Sequence, residues 1–383
     1  MKPNIRPENP RFSSGPCTKR PGWTPGVLKN ALLGRSHRSG VGKIRFAEAV
    51  RKTRDILSLP EGYEIIITPA SDTGAMEMAM WSMLGARPVD VFGWETFGNV
   101  WVADIIDNLK LENANSYGAP YGELPDFSNY NPDHDAVFTW NGTTSGVMVP
   151  DGDFIPDDRG GLVICDATSA IFAMEIPLEK LDVTTYSWQK VLGGEAQHGI
   201  MILSPRAIER LETYTPPWPL PKLFRLVKGG KVDPALFQGS TINTPSMLCL
   251  EDYLDALNWV ESVGGLKGTI SRTKANAAAI DTWVKKTSWV DYLCGNPAHR
   301  STTSVCLKIV DPDFLRMDEA HRKDFVSALV KLMEAEHAGY DIGAYRAAPA
   351  GLRIWAGATV ETSDLKALFP WLEWGYKKLK EEK

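Results

Sequence analysis

Lys190 is the side chain whose neighbours in the sequence are best suited to nucleophilic chemistry. It lies in residues 187–194, where a β-like run gives way to small and apolar residues. A lysine in such a setting loses hydration, so its pKa falls and the neutral, nucleophilic amine becomes accessible near neutral pH. Lysines beside glycines are also common at ordinary strand-to-turn corners, and a solvated loop lysine is the alternative interpretation.

Asp166 directly follows a short apolar run at residues 162–165. A carboxylate that closes a buried strand must find a partner or leave the core. The protonated ring nitrogen of pyridoxal phosphate (PLP) is one such partner, because a neighbouring carboxylate keeps the ring charged and able to withdraw electrons. The alternative is an aspartate that caps the following turn through Thr168 or Ser169.

Two further stretches combine strand ends with hydroxyl groups. At residues 68–77 a strand gives way to a helix through small and polar residues that include Asp72 and Thr73. Free N–H groups and the helix dipole would favour a phosphate there, although the Asp72 carboxylate would repel it unless it caps the helix or faces away. An ordinary helix N-cap is the alternative. At residues 140–146 Thr143 could offer its hydroxyl to a cofactor, but alone this stretch is a glycine-rich turn.

The composition fits one large or two medium domains with a hydrophobic core. The chain has 383 residues, 43% of them apolar, and a net charge of only −5 without blocks of like charge. Neither nucleic acid nor an anionic membrane surface is favoured as a partner. The five cysteines lack C-x-x-C spacing and the six histidines lack ligand spacing, which argues against disulfides and metal sites. Without an apolar signal or membrane segment, we expect a cytoplasmic protein.

The elements that must position these residues alternate along the first part of the chain. Residues 43–58 have helical periodicity, with Ile44, Ala47 and Val50 expected on the buried face. Strands are expected at 64–68, 89–93, 136–140, 162–166, 183–188 and 199–203, and helices at 74–85 and 99–109. Short apolar strands separated by helices predict an α/β fold with a mostly parallel sheet. Ligands of such sheets bind beyond the carboxyl ends of the strands.

The last part of the chain has a different pattern. A Pro- and Trp-rich excursion at 214–234 precedes a long helical region at 245–287. Further strands are expected at 302–309, 340–345 and 351–356, and further helices at 319–337 and 364–381. This succession predicts a smaller α+β domain. We place an N-terminal arm and a large domain in residues 1–255, and the small domain in residues 256–383.

Motifs spread over the whole chain connect these features. They are Ser36-His37-Arg38, Asn141-Gly142-Thr143, Asp166-Ala167-Thr168-Ser169, Gln189-Lys190, Ile242-Asn243-Thr244-Pro245 and Gly351-Leu352-Arg353-Ile354. In order and local sequence the chain resembles the fold-type I, class V PLP-dependent aminotransferases, and among them the phosphoserine aminotransferase family over essentially its full length. The resemblance implies a large PLP-binding α/β domain followed by a smaller α+β domain.

The resemblance also implies roles for individual residues. Lys190 would bind PLP as a Schiff base, and Asp166 would pair with the pyridine nitrogen. The other implied cofactor contacts are Gln189, Asp72 and Thr73 at the phosphate, Thr143 at the ring oxygen, and Phe97 (or else Trp101) stacked on the ring. Core packing is the alternative for both aromatic residues. Asn243 and Thr244 would reach the phosphate from the partner subunit, so the resemblance implies a homodimer with shared active sites.

Substrate recognition would require cations, because phosphoserine, 3-phosphohydroxypyruvate, glutamate and 2-oxoglutarate all carry several negative charges. By resemblance, Arg353 would bind the substrate α-carboxylate with its planar guanidinium. His37 and Arg38 would meet the substrate phosphate or the distal carboxylate of glutamate. Without the resemblance, a charged surface turn would be the preferred interpretation of His37 and Arg38.

Two departures from the family pattern mark this chain as a divergent branch. Where the family has a His-Arg pair shortly before the carboxylate-binding arginine, this chain has Arg346-Ala347, which leaves Arg346 as the candidate substitute. Where the family commonly has glycine and arginine at the phosphate cradle, this chain has Asp72 and Thr73.

The implied activity is transamination of 3-phosphohydroxypyruvate by glutamate in serine biosynthesis. The same chemistry would serve the phosphohydroxythreonine step of pyridoxine biosynthesis. A serine– or alanine–glyoxylate aminotransferase is the main alternative, since that group has a similar phosphate cradle and also shares Phe97-Gly98. A cysteine desulfurase is disfavoured because Gln189 stands where that group has a histidine, and a catalytically silent α/β binding protein would lack bound PLP.

Overall fold

The computed structural model describes residues 1–381 of the chain. The helices are α1 (Gly40–Leu57), α2 (Ser71–Met83), α3 (Thr96–Ala103), α4 (Pro205–Thr213), α5 (Met247–Ser262), α6 (Gly265–Val284), α7 (Pro312–Leu315), α8 (Glu319–Ala335) and α9 (Thr362–Glu381). The strands are β1 (Glu64–Pro69), β2 (Val89–Gly93), β3 (Ala114–Gly118), β4 (Asp135–Thr139), β5 (Asn141–Gly142), β6 (Val147–Met148), β7 (Val163–Asp166), β8 (Val183–Ser187), β9 (His198–Leu203), β10 (Val227–Lys228), β11 (Lys231–Val232), β12 (Val290–Tyr292), β13 (Ser304–Ile309) and β14 (Gly351–Trp355).

The larger sheet has seven strands in the order β1-β9-β8-β7-β4-β2-β3. β9 runs antiparallel to both of its neighbours, and the other adjacent strands are parallel. Every residue of β4, β7 and β8 is buried, as expected for strands covered on both faces. The prediction of an α/β fold with a mostly parallel sheet is confirmed.

The two faces of this sheet pack against different helices. Ile164 belongs to a core shared with α2, α3 and α4, whereas Cys165 belongs to the core shared with α1 and α5. Side chains alternate between the faces along a strand, so Asp166 lies on the same face as Ile164. Thr139 and Thr185 pair with Asp166 in register on the strands to either side. The ends of β4, β7 and β8 therefore present three polar residues in a row, below α2 and α3.

The smaller sheet is antiparallel, in the order β12-β13-β14, and α6 and α8 contact it while α9 packs against both helices. The strand expected at 340–345 is wrong. Asp341 takes a left-handed conformation with φ 59°, which breaks the extended chain, and only isolated bridges join Arg11 to Tyr340 and Gly343 to Leu352. Residues 10–12 of the N-terminal arm thus lie beside this segment.

Two helix predictions also need correction. The buried face of α1 consists of Phe46, Ala49, Val50 and other residues at the same spacing, whereas Ile44 is 64% exposed and Ala47 is also exposed. The single helical region at 245–287 is two helices, α5 and α6, separated at Gly264 with φ 102°. A left-handed residue at this position ends one helix and starts the next.

No helix within residues 1–381 is long and apolar enough to cross a membrane. The five cysteines, all within the described range, are unpaired, and Cys249 alone among them is not fully buried.

Candidate active site

A cavity of about 480 Å³ lies beyond the carboxyl ends of β4, β7 and β8. Of the residues predicted to bind cofactor, it is lined by Asp72, Thr73, Phe97, Thr143, Asp166, Gln189 and Lys190. They come from the ends of two strands, β7 and β8, from the first turns of α2 and α3, and from the β5–β6 hairpin. The sheet topology therefore brings together residues that are more than 100 positions apart in the sequence.

Lys190 projects into this cavity from the turn after β8. Its Nζ donates a hydrogen bond of 2.6 Å to the carbonyl oxygen of Ser14 and lies 5.9 Å from the centre of the Phe97 ring. Burial lowers the pKa of Lys190, and the positive charge of Arg353 lowers it further, while Asp166 and other neighbours oppose the shift. The amine is thus closer to its neutral, nucleophilic form than a solvated lysine would be.

The turn that holds Lys190 is fixed from both sides. Before it, Trp188 is fully buried and stacks on Tyr253 of α5 at a ring distance of 4.3 Å. Across it, the backbone N–H of Cys17 donates to the carbonyl of Gln189 at 2.8 Å. Gly193 closes the turn by donating to the Lys190 carbonyl at 2.9 Å. The N-terminal arm and α5 therefore hold the backbone of the lysine in place.

Asp166 is buried at the end of β7 and accepts two hydrogen bonds. The backbone N–H of Thr168 donates to one carboxylate oxygen at 2.9 Å, and the indole N–H of Trp101 donates to the other at 3.2 Å. Among residues 1–381 no cationic side chain forms an ion pair with Asp166. A buried carboxylate that faces a cavity and has no ion-pair partner fits a cationic ring nitrogen, which is the group that PLP would place there.

The first turn of α2 forms the candidate phosphate cradle. Ala70 and Ser71 both have positive φ values, of 63° and 54°, which turns the chain sharply from β1 into α2. The N–H groups of Asp72 and Thr73 stand where a helix leaves its amides without intrahelical acceptors. A side chain at Gly199 in β9 would overlap with the Ser71 carbonyl, so this glycine allows the strand to pass directly beneath the turn.

Ser187 and Gln189 are among the cavity residues with buried polar atoms that have no hydrogen-bond partner in the described structure. The Ser187 hydroxyl and the Gln189 side-chain oxygen are buried without a hydrogen bond, and both residues line the cavity. Buried polar groups are nearly always satisfied in folded proteins. Together with the free amides of α2, these groups fit a bound phosphorylated cofactor.

Thr143 is held by the adjoining β-hairpin and by the small sheet. Its hydroxyl donates to Ser169 at 2.6 Å, and its carbonyl accepts from the hydroxyl of Ser304 in β13, also at 2.6 Å. The Thr143 hydroxyl is thus engaged within the protein, and the prediction that it contacts the cofactor remains a prediction.

Glu95 is a cavity residue that was not predicted. Its buried carboxylate caps α3 by accepting from the Gly98 N–H at 2.7 Å, and it also accepts from the N–H and the hydroxyl of Thr144. Burial raises the pKa of Glu95, although these hydrogen bonds oppose the shift. An acidic residue directly before a helix is an N-cap signal that sequence reasoning could have used.

The remaining predicted residues do not line the cavity. His37 is half-buried and Arg38 is exposed in the loop before α1, and burial and the charge of Arg38 lower the pKa of His37. Asn243 is half-buried and Thr244 exposed in the segment before α5. Arg346 is exposed.

Arg353 lies just behind the cavity on β14. Its guanidinium is 5.7 Å from the Tyr345 ring, whose centre is 5.7 Å from that of Phe97. The Nε of Arg353 is buried without a hydrogen-bond partner. A half-buried guanidinium with a free donor, close enough to affect Lys190, is suited to binding a carboxylate.

Comparison with known proteins decides the family. The chain is 56% identical over 380 residues to a phosphoserine aminotransferase from Methanosarcina barkeri, and the alignment covers 99% of this chain and 100% of the relative. This chain belongs to the phosphoserine aminotransferase family. No family model matches the sequence.

Solved structures agree with the fold of this family. A phosphoserine aminotransferase from Cytophaga hutchinsonii superimposes with a TM-score of 0.79 at 19% identity, covering 95% of this chain and 98% of that structure. An alanine–glyoxylate aminotransferase from Nostoc reaches a TM-score of 0.76 at 16% identity, with coverage of 98% and 96%. The predicted fold-type I architecture is confirmed, but the fold alone does not separate phosphoserine aminotransferases from glyoxylate-type enzymes.

Proposed function

We propose that this chain is a PLP-dependent phosphoserine aminotransferase, which interconverts 3-phosphohydroxypyruvate plus glutamate and O-phosphoserine plus 2-oxoglutarate in serine biosynthesis. The observation that carries the proposal is the full-length similarity to the Methanosarcina enzyme, in a chain whose cavity at the strand ends is lined by Lys190 and by the Asp166 carboxylate. PLP would supply an aldehyde that carries the amino group between substrates and a ring that withdraws electrons.

The chain would hold the cofactor at its phosphate and at its ring. The free N–H groups of Asp72 and Thr73 and the Gln189 side chain would bind the phosphate, where the positive end of the α2 dipole adds to the attraction. Asp166, whose carboxyl group lies beside that of Asp72, would face the ring nitrogen. Phe97 lies on the cavity wall and is 37% exposed, so it has a free ring face for stacking. Trp101 is buried and already bonded to Asp166, which favours Phe97 as the stacking residue.

Lys190 would move the proton that transamination requires. Its Nζ would take the proton from the α-carbon of the amino acid and return it at the neighbouring reacting carbon, which needs an amine that is neutral in part at neutral pH. The lowered pKa of Lys190 provides this. The Ser14 carbonyl, which accepts from Nζ, would keep the amine directed into the cavity.

The substrate carboxylate would be bound by Arg353, whose Nε lacks a partner behind the cavity. His37, Arg38, Asn243 and Thr244 lie outside the cavity of their own chain, so they could contact ligands only across a subunit interface. We therefore propose a homodimer with shared active sites. Arg346, exposed beside Tyr345, would serve as the substitute for the missing His-Arg pair.

Exposed apolar side chains support this dimer. Val27, Val41 and Ile44 line one groove on the surface formed by α1 and the preceding segment, and all three are at least 37% exposed. Exposure of three apolar side chains in one groove to water is unfavourable for a monomer, and such a groove is typical of subunit contacts. The loop with His37 and Arg38 lies between Val27 and Val41 in the sequence, so an interface there would carry both residues toward the partner.

A coupled assay tests the proposed reaction. Glutamate should aminate 3-phosphohydroxypyruvate at least tenfold faster than glyoxylate, and Lys190→Ala should abolish both the activity and the visible absorbance of the PLP-loaded protein. The opposite preference, for glyoxylate by tenfold or more, would contradict the substrate assignment while leaving the cofactor assignment intact.

Arg38→Ala separates this proposal from the glyoxylate alternative. Loss of the guanidinium should reduce activity only toward phosphorylated substrates, because glyoxylate has no phosphate to bind. Arg35→Ala, an exposed charge in the same loop, is the matched control and should behave as the wild type. Equal losses with both acceptors would contradict a phosphate-binding role for Arg38.

Three further assignments are part of this proposal. The unpaired cysteines support a reducing cytoplasm. The separate seven-stranded and three-stranded sheets support a division into a large and a small domain, which we place at residues 1–255 and 256–383. Activity with the phosphorylated keto acid of the pyridoxine route is tested by adding that acceptor to the same coupled assay.

A further inference from the structure

Asp72 is a buried carboxylate on the floor of the candidate phosphate cradle. It occupies the first turn of α2 and is only 7% exposed. One of its carboxylate oxygens, Oδ1, is buried without a hydrogen-bond partner. A buried carboxylate with an unsatisfied oxygen is costly unless a proton or a cation accompanies it.

The carboxyl group that faces Asp72 is that of Asp166. The two side chains are close enough for a hydrogen bond between them, and the hydroxyls of Thr168 and Thr185 lie beside Asp72 as well. Thr185 pairs in register with Asp166 on the neighbouring strand, which places both under the first turn of α2. Two ionised carboxylates cannot donate to one another, so their approach in a buried site requires one proton between them.

No cationic side chain in the described part of the chain neutralises this pair of carboxyl groups in place of the proton. Asp166 takes its two hydrogen bonds from Thr168 and Trp101, and within residues 1–381 neither Asp72 nor Asp166 forms an ion pair. The charged and titratable groups that act on the site from the other elements are Lys190 after β8, Glu95 before α3 and the Cys165 thiol of β7. Lys190 is the only cation among them, and it is directed to the Ser14 carbonyl.

Electrostatics favours Asp72 as the protonated partner. Burial raises the pKa of Asp72 well above its ordinary value, and the negative charge of Asp166 raises it further, while the hydroxyls of Thr185 and Thr168 oppose the shift. Asp166 accepts hydrogen bonds from two N–H groups, whereas Oδ1 of Asp72 accepts none. The proton that the pair needs is therefore placed on Asp72.

We propose that Asp72 is a neutral carboxylic acid at neutral pH that donates a hydrogen bond to Asp166, so that the two form an acid–carboxylate pair beneath the cofactor site. The pair carries one negative charge instead of two. Asp72 is thus a positioning residue: it holds the Asp166 carboxylate in place, and in its neutral form it does not repel a phosphate bound at the N-terminus of α2. The proton is a property of the protein, whereas the effect on the reaction rests on the proposed function.

Infrared difference spectroscopy of the PLP-loaded protein tests the proton directly. The wild-type spectrum minus that of Asp72→Asn, both at neutral pH, should contain the C=O stretching band of a protonated carboxylic acid, and the band should shift in D₂O. Asp107→Asn removes an exposed carboxylate on the same side of the sheet and should give no such band. A difference spectrum without the band means that both carboxylates are ionised, which overturns the proposal.

Kinetics tests the positioning role separately. Asp72→Asn keeps a donor for Asp166 and should retain kcat within about threefold, whereas Asp72→Ala removes it and should lower kcat about tenfold or more. The KM for glutamate should change little in either variant, because neither touches the substrate. Equal kcat values for the two variants would overturn the positioning role. If the wild type had no aminotransferase activity, the proposed function would fail, and the infrared result would still decide whether the pair shares a proton.

Discussion

Acidification should destabilise this protein through one buried histidine, His198. The residue begins β9, and its side chain is 1% exposed. Its Nε2 accepts from the backbone N–H of Ser246 at 3.0 Å, and its Nδ1 lies 3.4 Å from the Thr68 carbonyl. A neutral ring with the hydrogen on Nδ1 satisfies both contacts. If Nε2 were protonated as well, its N–H would point at the backbone N–H of Ser246, and two hydrogen-bond donors would face each other.

The magnitude follows from the shift in proton affinity. Burial lowers the pKa of His198 from 6.5 to about 4. Between these values the unfolded chain binds the proton and the folded protein does not, so the stability that is present above about pH 6.5 is lost as the pH falls toward 4. One pKa unit corresponds to about 1.4 kcal/mol, and the loss between about pH 7 and pH 4 is therefore roughly 3 kcal/mol.

Urea unfolding of the wild type and His198→Gln, measured across this pH range at the same PLP concentration, isolates the effect. Glutamine does not titrate, so the difference in unfolding free energy between the two proteins should shrink by about 3 kcal/mol on acidification. His321→Gln alters a histidine whose side chain is 69% exposed and should keep the pH dependence of the wild type. Parallel curves for the wild type and His198→Gln would refute the reasoning that His198 is buried in its neutral form.

Three other substitutions probe the cavity wall. Glu95→Gln places an amide group opposite a backbone N–H and should lower the free energy of unfolding in urea by about 1–3 kcal/mol; no change would contradict its capping role. Gly15→Ala would add a methyl group that overlaps with the Lys190 amine, at a residue whose φ of 157° is rarely adopted by residues with a side chain. It should weaken PLP binding about tenfold in a fluorescence titration and also lower the melting temperature. Trp101→Phe removes one donor from Asp166 and should lower kcat about tenfold in the coupled assay, while an unchanged kcat would show that the donor is dispensable.

The residues that sequence reasoning placed correctly in the cavity share one physical property. Lys190, Asp166 and Asp72 each follow a run of residues that is typical of a β-strand, and parallel strands bring their carboxyl ends to one edge of the sheet. Local pattern and sheet topology were therefore sufficient to predict that these three side chains meet. The same argument gave the α/β class, because buried strands and amphipathic helices differ in periodicity.

Features that depend on long-range packing were not predictable in this way. Ser14 contacts Lys190 across 176 positions of sequence, and nothing in the composition of the arm indicates that contact. The outward orientation of Ile44 has the same cause. Its spacing fits a helical face, but Phe46 and Ala49 of α1 face the core instead, since periodicity fixes which residues share a face and not which face is covered.

The residues proposed for catalysis are positioned by local sequence pattern and sheet topology, whereas those proposed for substrate recognition are positioned by long-range packing. The groups suited to bind PLP and move a proton lie on strand ends of one rigid sheet, where a single chain can set their geometry. Arg353 approaches from the small sheet, and His37 and Arg38 lie on an exposed loop outside the cavity. In the proposed homodimer, their arrangement around a substrate would depend on how the small sheet and the second subunit are placed. Replacing Lys190 or Asp166 should therefore abolish transamination with every substrate, whereas replacing the peripheral cations should change which acceptor is used.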